Sequence, residues 1–458
     1  MAKLNSVAGG LSQLCFALIA AGGAAISHAE SPAQRIIVKY RATAQTSAAA
    51  QTSQQMMGDA AARYGISMSK MRTTANGAQV MRISNTLSPS DLKQLVKDMA
   101  ADPNVEYAEE DRMMKPLFTP NDTYYNLQWH YYEATGGIRL PDAWNNATGN
   151  NVRVAVVDTG YRPHADLAAN IIGGYDFISD PFISRDGNGR DSSALDQGDW
   201  TTGDDCGQVA NSSWHGTHVA GTIAARTNNT TGVAGVAFNA KVVPLRVLGR
   251  CGGFTSDISD AIAWSSGAAV SGVPTNPYPA KVVSLSLGGT GACSVTSQNA
   301  INAARSRGTA VVIAAGNENS NASNSSPANC SGVIVVAATN RSGGRAYYSN
   351  FGSIVDVAAP GGDTRTSGGG VLSTLNTGTT TPANDTYAYY QGTSMATPHV
   401  SGVVALMFAV NPNLTPTQVE SMLKSTARPF PATCNQCGAG IVDANAAINA
   451  AYAARGTQ

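Results

Sequence analysis

"VRVAVVDTG", residues 152–160, is a nearly unbroken β-branched run that ends on a carboxylate and a Thr-Gly turn. A strand with one wet face alternates apolar and polar residues, whereas a strand covered on both faces of a parallel sheet does not. Residues 152–158 therefore read as a doubly buried strand. Four similar runs follow: "KVVPLRVL" (241–248), "KVVSLSL" (281–287), "TAVVIAA" (309–315) and "GVIVVAAT" (332–339). Helical stretches such as "DISDAIAWSSGAAV" and "SVTSQNAINAARSRG" lie between them. This alternation predicts an α/β fold with a doubly wound, mostly parallel sheet over residues 119–458. Chemistry in such a fold sits at the carboxyl ends of the strands. Asp158 stands at one such end.

The residues before this region have a different pattern. "RIIVKY" and "AQVMRIS" alternate like half-buried strands, and "SPSDLKQLVKDMA" carries a Ser/Asp start and helical spacing of Leu92, Leu95, Val96 and Met99. A further short strand follows in "DPNVEYAEED", and residues 44–63 suit a helix. The order strand–helix–strand–helix–strand predicts a small α/β ferredoxin-like unit within residues 30–118. It ends at the Pro-punctuated linker "MMKPLFTPNDT". Residues 1–29 read as an export signal: Lys3, the apolar "LCFALIAAGGAAI", then "SHA" as a small-residue cleavage site. A chain of 458 residues suits two or three such units.

Zero formal net charge gives no reason to expect nucleic acid. No other apolar run reaches the roughly 20 residues that cross a bilayer, so no stable membrane association is expected. Seven cysteines include Cys15 in the leader. The six that remain, in an exported chain, read as disulfides, and sequence leaves their pairing open.

The chemistry concentrates at "GTSMATPHVSG" (392–402), where Ser394 heads the apolar run "VVALMFAV". A serine there can cap a helix, or act as a nucleophile at the positive end of the helix dipole. A nucleophile needs a base, and "NSSWHGTHVAGTIAA" (211–225) offers His215 at the head of another apolar helix. "HGTH" lacks the Glu and the spacing of a zinc-protease helix, so His218 reads as a packed or hydrogen-bonded residue. The base needs a carboxylate to fix its tautomer, and Asp158 supplies one. An α/β-hydrolase esterase would require G-x-S-x-G with both partners after the serine. Here Ala396 replaces the second glycine and both partners precede.

"VAVVDTG", "HGTHVAGTIAA" and "GTSMATPHVSG" resemble the three signature blocks of the subtilisin-like serine proteases. The resemblance covers residues 121–450 and implies a secreted, monomeric serine endopeptidase that acts on proteins and peptides through Asp158, His215 and Ser394. A catalytically impaired member serving as a binding module would be expected to have lost one of the three. In "AAGNENS" the resemblance makes Asn317 the oxyanion donor, beside the backbone N–H of Ser394. It makes Ser286, Leu287, Gly288 and Gly289 of "SLSLGG" the strand that pairs with substrate, opposite "RCGGF" (250–254). Glu318 and Ser325–Pro327 would form the primary specificity pocket, where Glu318 would weakly favour a basic residue. Residues 30–118 resemble the family's pro-domain, which assists folding, is cleaved by the enzyme itself and then inhibits it as a bound partner.

The resemblance further implies structural Ca²⁺ held by Asp122, Asp166 and Asn229. The Asp- and Gly-rich segment 179–205 suggests a second position at Asp186 and Asp191. In the implied fold Cys206 and Cys251 both lie near the cleft. The expected pairs are Cys206–Cys251, Cys293–Cys330 and Cys434–Cys437, the last closing a tight C-terminal loop.

Overall fold

In the computed structural model, which describes residues 34–41, 47–113 and 118–456, six elements build the N-terminal unit. The export signal read at residues 1–29 lies outside the described residues. The chain divides into two units, Met1–Lys115 and Pro116–Gln458. The first runs β1 (Arg35–Tyr40), α1 (Ser47–Ala62), β2 (Met68–Thr73), β3 (Gln79–Ile83), α2 (Pro89–Ala100) and β4 (Val105–Glu110). Its antiparallel sheet has the order β2-β3-β1-β4, the βαββαβ arrangement of a ferredoxin-like sandwich. Ile36, Val38 and Ile83 meet Leu92, Leu95 and Met99 of α2 in its core. Ser88 caps α2 by accepting from Asp91 N. Sequence reading gave three strands; β2 is the fourth. It is an edge strand with an exposed, Lys- and Arg-bearing face, so it carries no apolar signal.

The second unit opens with α3 (Trp129–Tyr132) and α4 (Leu140–Trp144) and then builds a sheet of seven parallel strands. These are β5 (Arg153–Asp158), β6 (Tyr175–Asp176), β7 (Lys241–Arg246), β8 (Val282–Leu285), β10 (Ala310–Ala314), β12 (Ile334–Thr339) and β13 (Val357–Pro360). Between them come α5 (Pro181–Ser184), α6 (Gly203–Cys206), α7 (His215–Ala224), α8 (Thr255–Ser265) and α9 (Val295–Ser306). Two short strands, β9 (Gly289–Thr290) and β11 (Ser325–Ser326), pair antiparallel outside the sheet. A hairpin of β14 (Val371–Asn376) and β15 (Asp385–Tyr390) precedes α10 (Thr393–Val410), α11 (Pro416–Thr426) and α12 (Ala444–Ala453).

The sheet order is β13-β12-β10-β8-β5-β7-β6. β5 lies between β7 and β8, where the chain reverses its direction of building, so Asp158 ends the strand at the topological switch point. Alternate residues of β5 enter opposite cores. Val154 and Val156 join one core with α7, α10 and α12, while Ala155 and Val157 join the other with α8 and α9. That double burial is why the strand reads as continuous apolar sequence. Helix α10 is long and apolar enough to cross a membrane, yet 89% of it is buried inside the unit, as expected of a core helix.

Candidate active site

His215 begins α7, and Trp214 before it takes a left-handed conformation (φ 49°). The Trp214 indole N–H donates to Gly378 O, and Asp199 accepts from both the backbone N–H and the hydroxyl of Ser213. The approach to the histidine is thus pinned on both sides. Asp158 is fully buried, and its Oδ1 and Oδ2 lie 2.8 and 3.0 Å from His215 Nδ1. A carboxylate facing Nδ1 holds the proton on that nitrogen and leaves Nε2 with its lone pair. The imidazole is 20% exposed. Burial disfavours its charged form, but the Asp158 charge and hydrogen bond, with Asp199 and Asp196 nearby, more than offset this and raise its pKa. His218, three residues on, is buried, donates from Nε2 to Val371 O and Ala388 O, and stacks on Tyr390. Burial lowers its pKa to about 3.

Ser394 is the second residue of α10, and Pro398 explains part of its setting. Proline has no N–H, so the Ser394 carbonyl four residues earlier lacks its helical donor. Ser286 Oγ supplies one at 2.9 Å, and Ser394 Oγ in turn donates to Ser286 O at 3.1 Å. The two serines lock the nucleophile's helix end to the strand beside the cleft. The Ser394 hydroxyl faces Ser286 in this arrangement.

Asn317 follows β10. Its Oδ1 accepts from Thr393 N at 2.8 Å and from Thr393 Oγ at 2.9 Å, so the amide nitrogen is left facing the cleft. At Gly392 (φ 150°) an added Cβ would lie 3.5 Å from Ser394 N and 3.7 Å from Asn317 Nδ2. The same Cβ would lie 3.7 Å from Asn317 Oδ1, so a side chain there would rest in ordinary contact with both residues. Ser394 N lies in the first turn of α10, where backbone N–H groups lack helical acceptors.

Ser286, Leu287, Gly288 and Gly289 line both hollows of the cleft. One, of about 860 Å³, also takes in His215, Gly252 and Gly253, and the other holds Asn317, Glu318, Ser325 and Ser394. An added Cβ at Gly289 or Gly252 would meet nothing within 4 Å, which leaves both backbones open to an extended peptide. Beyond them, β9 pairs with β11 and ties the substrate strand to the pocket rim. Glu318 is exposed, and its Oε2 accepts from Asn350 Nδ2 at 2.7 Å, which aims the carboxylate along the pocket.

The three expected calcium ligands come together. Asp122 accepts from Asn228 N, while Asn229 Nδ2 donates to Asp166 Oδ1 at 2.8 Å. Both carboxylates are buried, and among the described residues neither has an ion-pair partner. Burial raises the pKa of both, Asp166 to about 6 with Asp122 adding repulsion. Two buried, uncompensated carboxylates beside an amide and loop carbonyls suit a hard cation. No group of three or more His, Cys, Asp or Glu occurs among the described residues, so backbone oxygens would have to complete the shell.

The pair Asp186 and Asp191 differs. Asp186 is bridged to Arg246 at 3.0 Å and accepts from Ser184 Oγ, and Asp191 accepts from Asn188 Nδ2 and Ser193 N. Arg246 is itself fully buried against Asp176 and Asp186. The charge of Asp186 is already answered by a guanidinium. The three cysteine pairs form as expected, with Cα–Cα distances of 6.0, 5.1 and 5.6 Å. Sequence reading missed Thr393, the Ser286–Ser394 exchange and Asp199, because each acts through a contact between distant segments.

Residues 149–440 match the family model for subtilases, peptidase family S8. An extracellular protease of Xanthomonas campestris pv. campestris is 53% identical over 429 residues, which is 91% of this chain and 73% of that protein. An extracellular basic protease of Dichelobacter nodosus is 42% identical over 441 residues, covering 93% and 72%. Among solved structures, a protease of Pseudoalteromonas arctica superposes with a TM-score of 0.72 at 62% identity, covering 73% of this chain and all of that one. The chain belongs to the subtilase family. It is a serine endopeptidase, a hydrolase of peptide bonds.

Proposed function

We propose that Asp158, His215 and Ser394 are the catalytic triad of an exported endopeptidase made as a self-processing zymogen. The observation that carries the reading is the locked Asn317 amide. With its oxygen held by Thr393, the amide keeps its nitrogen free to donate, beside Ser394 N–H, to an oxyanion formed at the serine. In the reaction His215 Nε2 takes the Ser394 Oγ proton as that oxygen attacks the peptide carbonyl. The same proton then goes to the leaving amine as the acyl-enzyme forms, and water completes hydrolysis by the reverse route. Asp158 holds the imidazole and stabilises its cation.

The names of the two bacterial relatives support an extracellular site of action, as does the leader read at residues 1–29. Residues 30–118 serve as the pro-domain that inhibits the enzyme. Ca²⁺ at Asp122, Asp166 and Asn229 would neutralise two buried carboxylates and tie the segment at Asp122 to the loop 228–233. The substrate is an extended polypeptide seated along Ser286–Gly289, with Glu318 favouring a basic side chain in the pocket.

Ser394→Ala tests the reading. Peptidase activity should fall by several orders of magnitude, to the residue left by oxyanion binding and positioning. A serine-directed phosphonate should label the wild type only. Near wild-type activity in the alanine variant would exclude the serine mechanism.

A further inference from the structure

We propose that Asp196 is a positioning residue for the catalytic pair, acting through Thr159. The proposal rests on the triad reading above and adds a residue to it.

Asp196 is 1% exposed and has no ion-pair partner among the described residues. Its Oδ2 accepts from Thr159 Oγ at 2.6 Å and its Oδ1 from Gly198 N at 2.8 Å. Thr159 directly follows the catalytic carboxylate, and its own N–H donates to Asp158 Oδ1 at 2.8 Å. The Thr159 hydroxyl oxygen accepts from Gly216 N, next to His215, at 2.9 Å. One threonine therefore touches the residue before it in the triad and the first turn of the helix that begins with His215.

The hydroxyl has a single proton, which it donates in a hydrogen bond to Asp196 Oδ2. With the hydroxyl so oriented, its lone pairs face Gly216 N–H, and the start of α7 is fixed against the end of β5. There is no slack in this contact: an added Cβ at Gly216 would come within 2.1 Å of Gly160 O. The backbone of Asp196 is held equally firmly. Its N–H donates to Tyr161 O, and its carbonyl accepts from Arg162 Nη1 at 2.8 Å.

A carboxylate suits this position for a stated reason. Two donors, a hydroxyl and an N–H, point at its two oxygens, and a carboxylate only accepts. An amide could answer one donor and would present N–H to the other. The charged groups around it are the Arg246 and Arg162 guanidiniums, Asp199, His215 and, through Thr159, Asp158. Burial raises its pKa to about 7, with the Thr159 hydrogen bond and Arg246 acting in the opposite sense. When ionised it adds to the field that favours the His215 cation.

The test is steady-state kinetics over pH on mature enzyme, with active sites counted by a serine-directed phosphonate. Asp196→Asn should lower kcat by about tenfold or more, the scale of small misplacements near reacting groups, with KM nearly unchanged. The acid limb of its kcat/KM profile should move to lower pH, because an anion near His215 is gone. Thr159→Val should show a similar fall in kcat, and Thr159→Ser should recover most of it. If Asp196→Asn does not accumulate as mature enzyme, the Thr159 pair decides the matter. A Thr159→Val enzyme with wild-type kcat overturns the proposal. So does an Asp196→Asn enzyme that loses only thermal stability, with kcat and the acid limb unmoved. Absence of phosphonate labelling in the wild type would instead refute the triad reading itself, so the two failures are distinguishable.

Discussion

An asparagine amide serves an oxyanion only if its nitrogen faces the substrate, and Thr393 makes that choice. Both of its donors, backbone and hydroxyl, hold Asn317 Oδ1. In the proposed role the amide would be preorganised, with no dipole to turn when charge develops. Asn317→Ala should lower kcat by about 10²–10³ with little change in KM, the usual effect of losing one such donor. Thr393→Val removes the hydroxyl and keeps the N–H, so its loss should be smaller than that of Asn317→Ala. Active-site-titrated kinetics on a peptide amide would check both. An unchanged kcat in Asn317→Ala would mean that the amide does not meet the reacting oxygen.

At the scale of elements, the calcium proposal concerns a loop and the segment at Asp122 that docks on it. Asn228 N and Asn229 N point at Asp122, and Val233 N at Asp166, so residues 228–233 wrap two buried carboxylates whose charge a bound cation would offset. A cation bound only by the folded protein stabilises it by mass action, about 2.7 kcal/mol at a hundredfold excess over Kd. On phosphonate-inactivated enzyme, where autolysis is stopped, a chelator should lower Tm and added Ca²⁺ should restore it. Asp166→Asn should blunt that response. A Tm indifferent to both chelator and Ca²⁺ would refute the site. Elements also differed in how legible they were. The five long strands of the parallel sheet stood out because burial on both faces makes them uniformly apolar. β14 was hidden for the converse reason: its Ser373 and Thr374 are buried through hydrogen bonds to His218 O and Thr217 O, and so read as polar. β6, two residues long, carries no periodicity. Asp158, His215, Ser394 and Asn317 could be picked out of the sequence because each sits in a local motif. Thr393 acts on Asn317 across 76 residues and Asp196 on Thr159 across 37, and nothing local marks such partners.

At the scale of the whole molecule, a protease made inside a cell must be kept from its own export route until it is outside. The N-terminal unit has a core of its own. Pro116 and Pro120 punctuate the sequence between β4 and the second unit. Self-processing should cut between about Met113 and Asn121. Because the cut needs the serine, Ser394→Ala expressed in a protease-deficient host should accumulate with its N-terminal unit attached, and N-terminal sequencing would show it. The isolated 30–115 fragment, added to mature enzyme, should inhibit it reversibly. If the Ser394→Ala protein instead carries a mature N-terminus near Asn121, another protease does the cutting. If the fragment leaves activity untouched at high excess, the first unit assists folding without acting as an inhibitor.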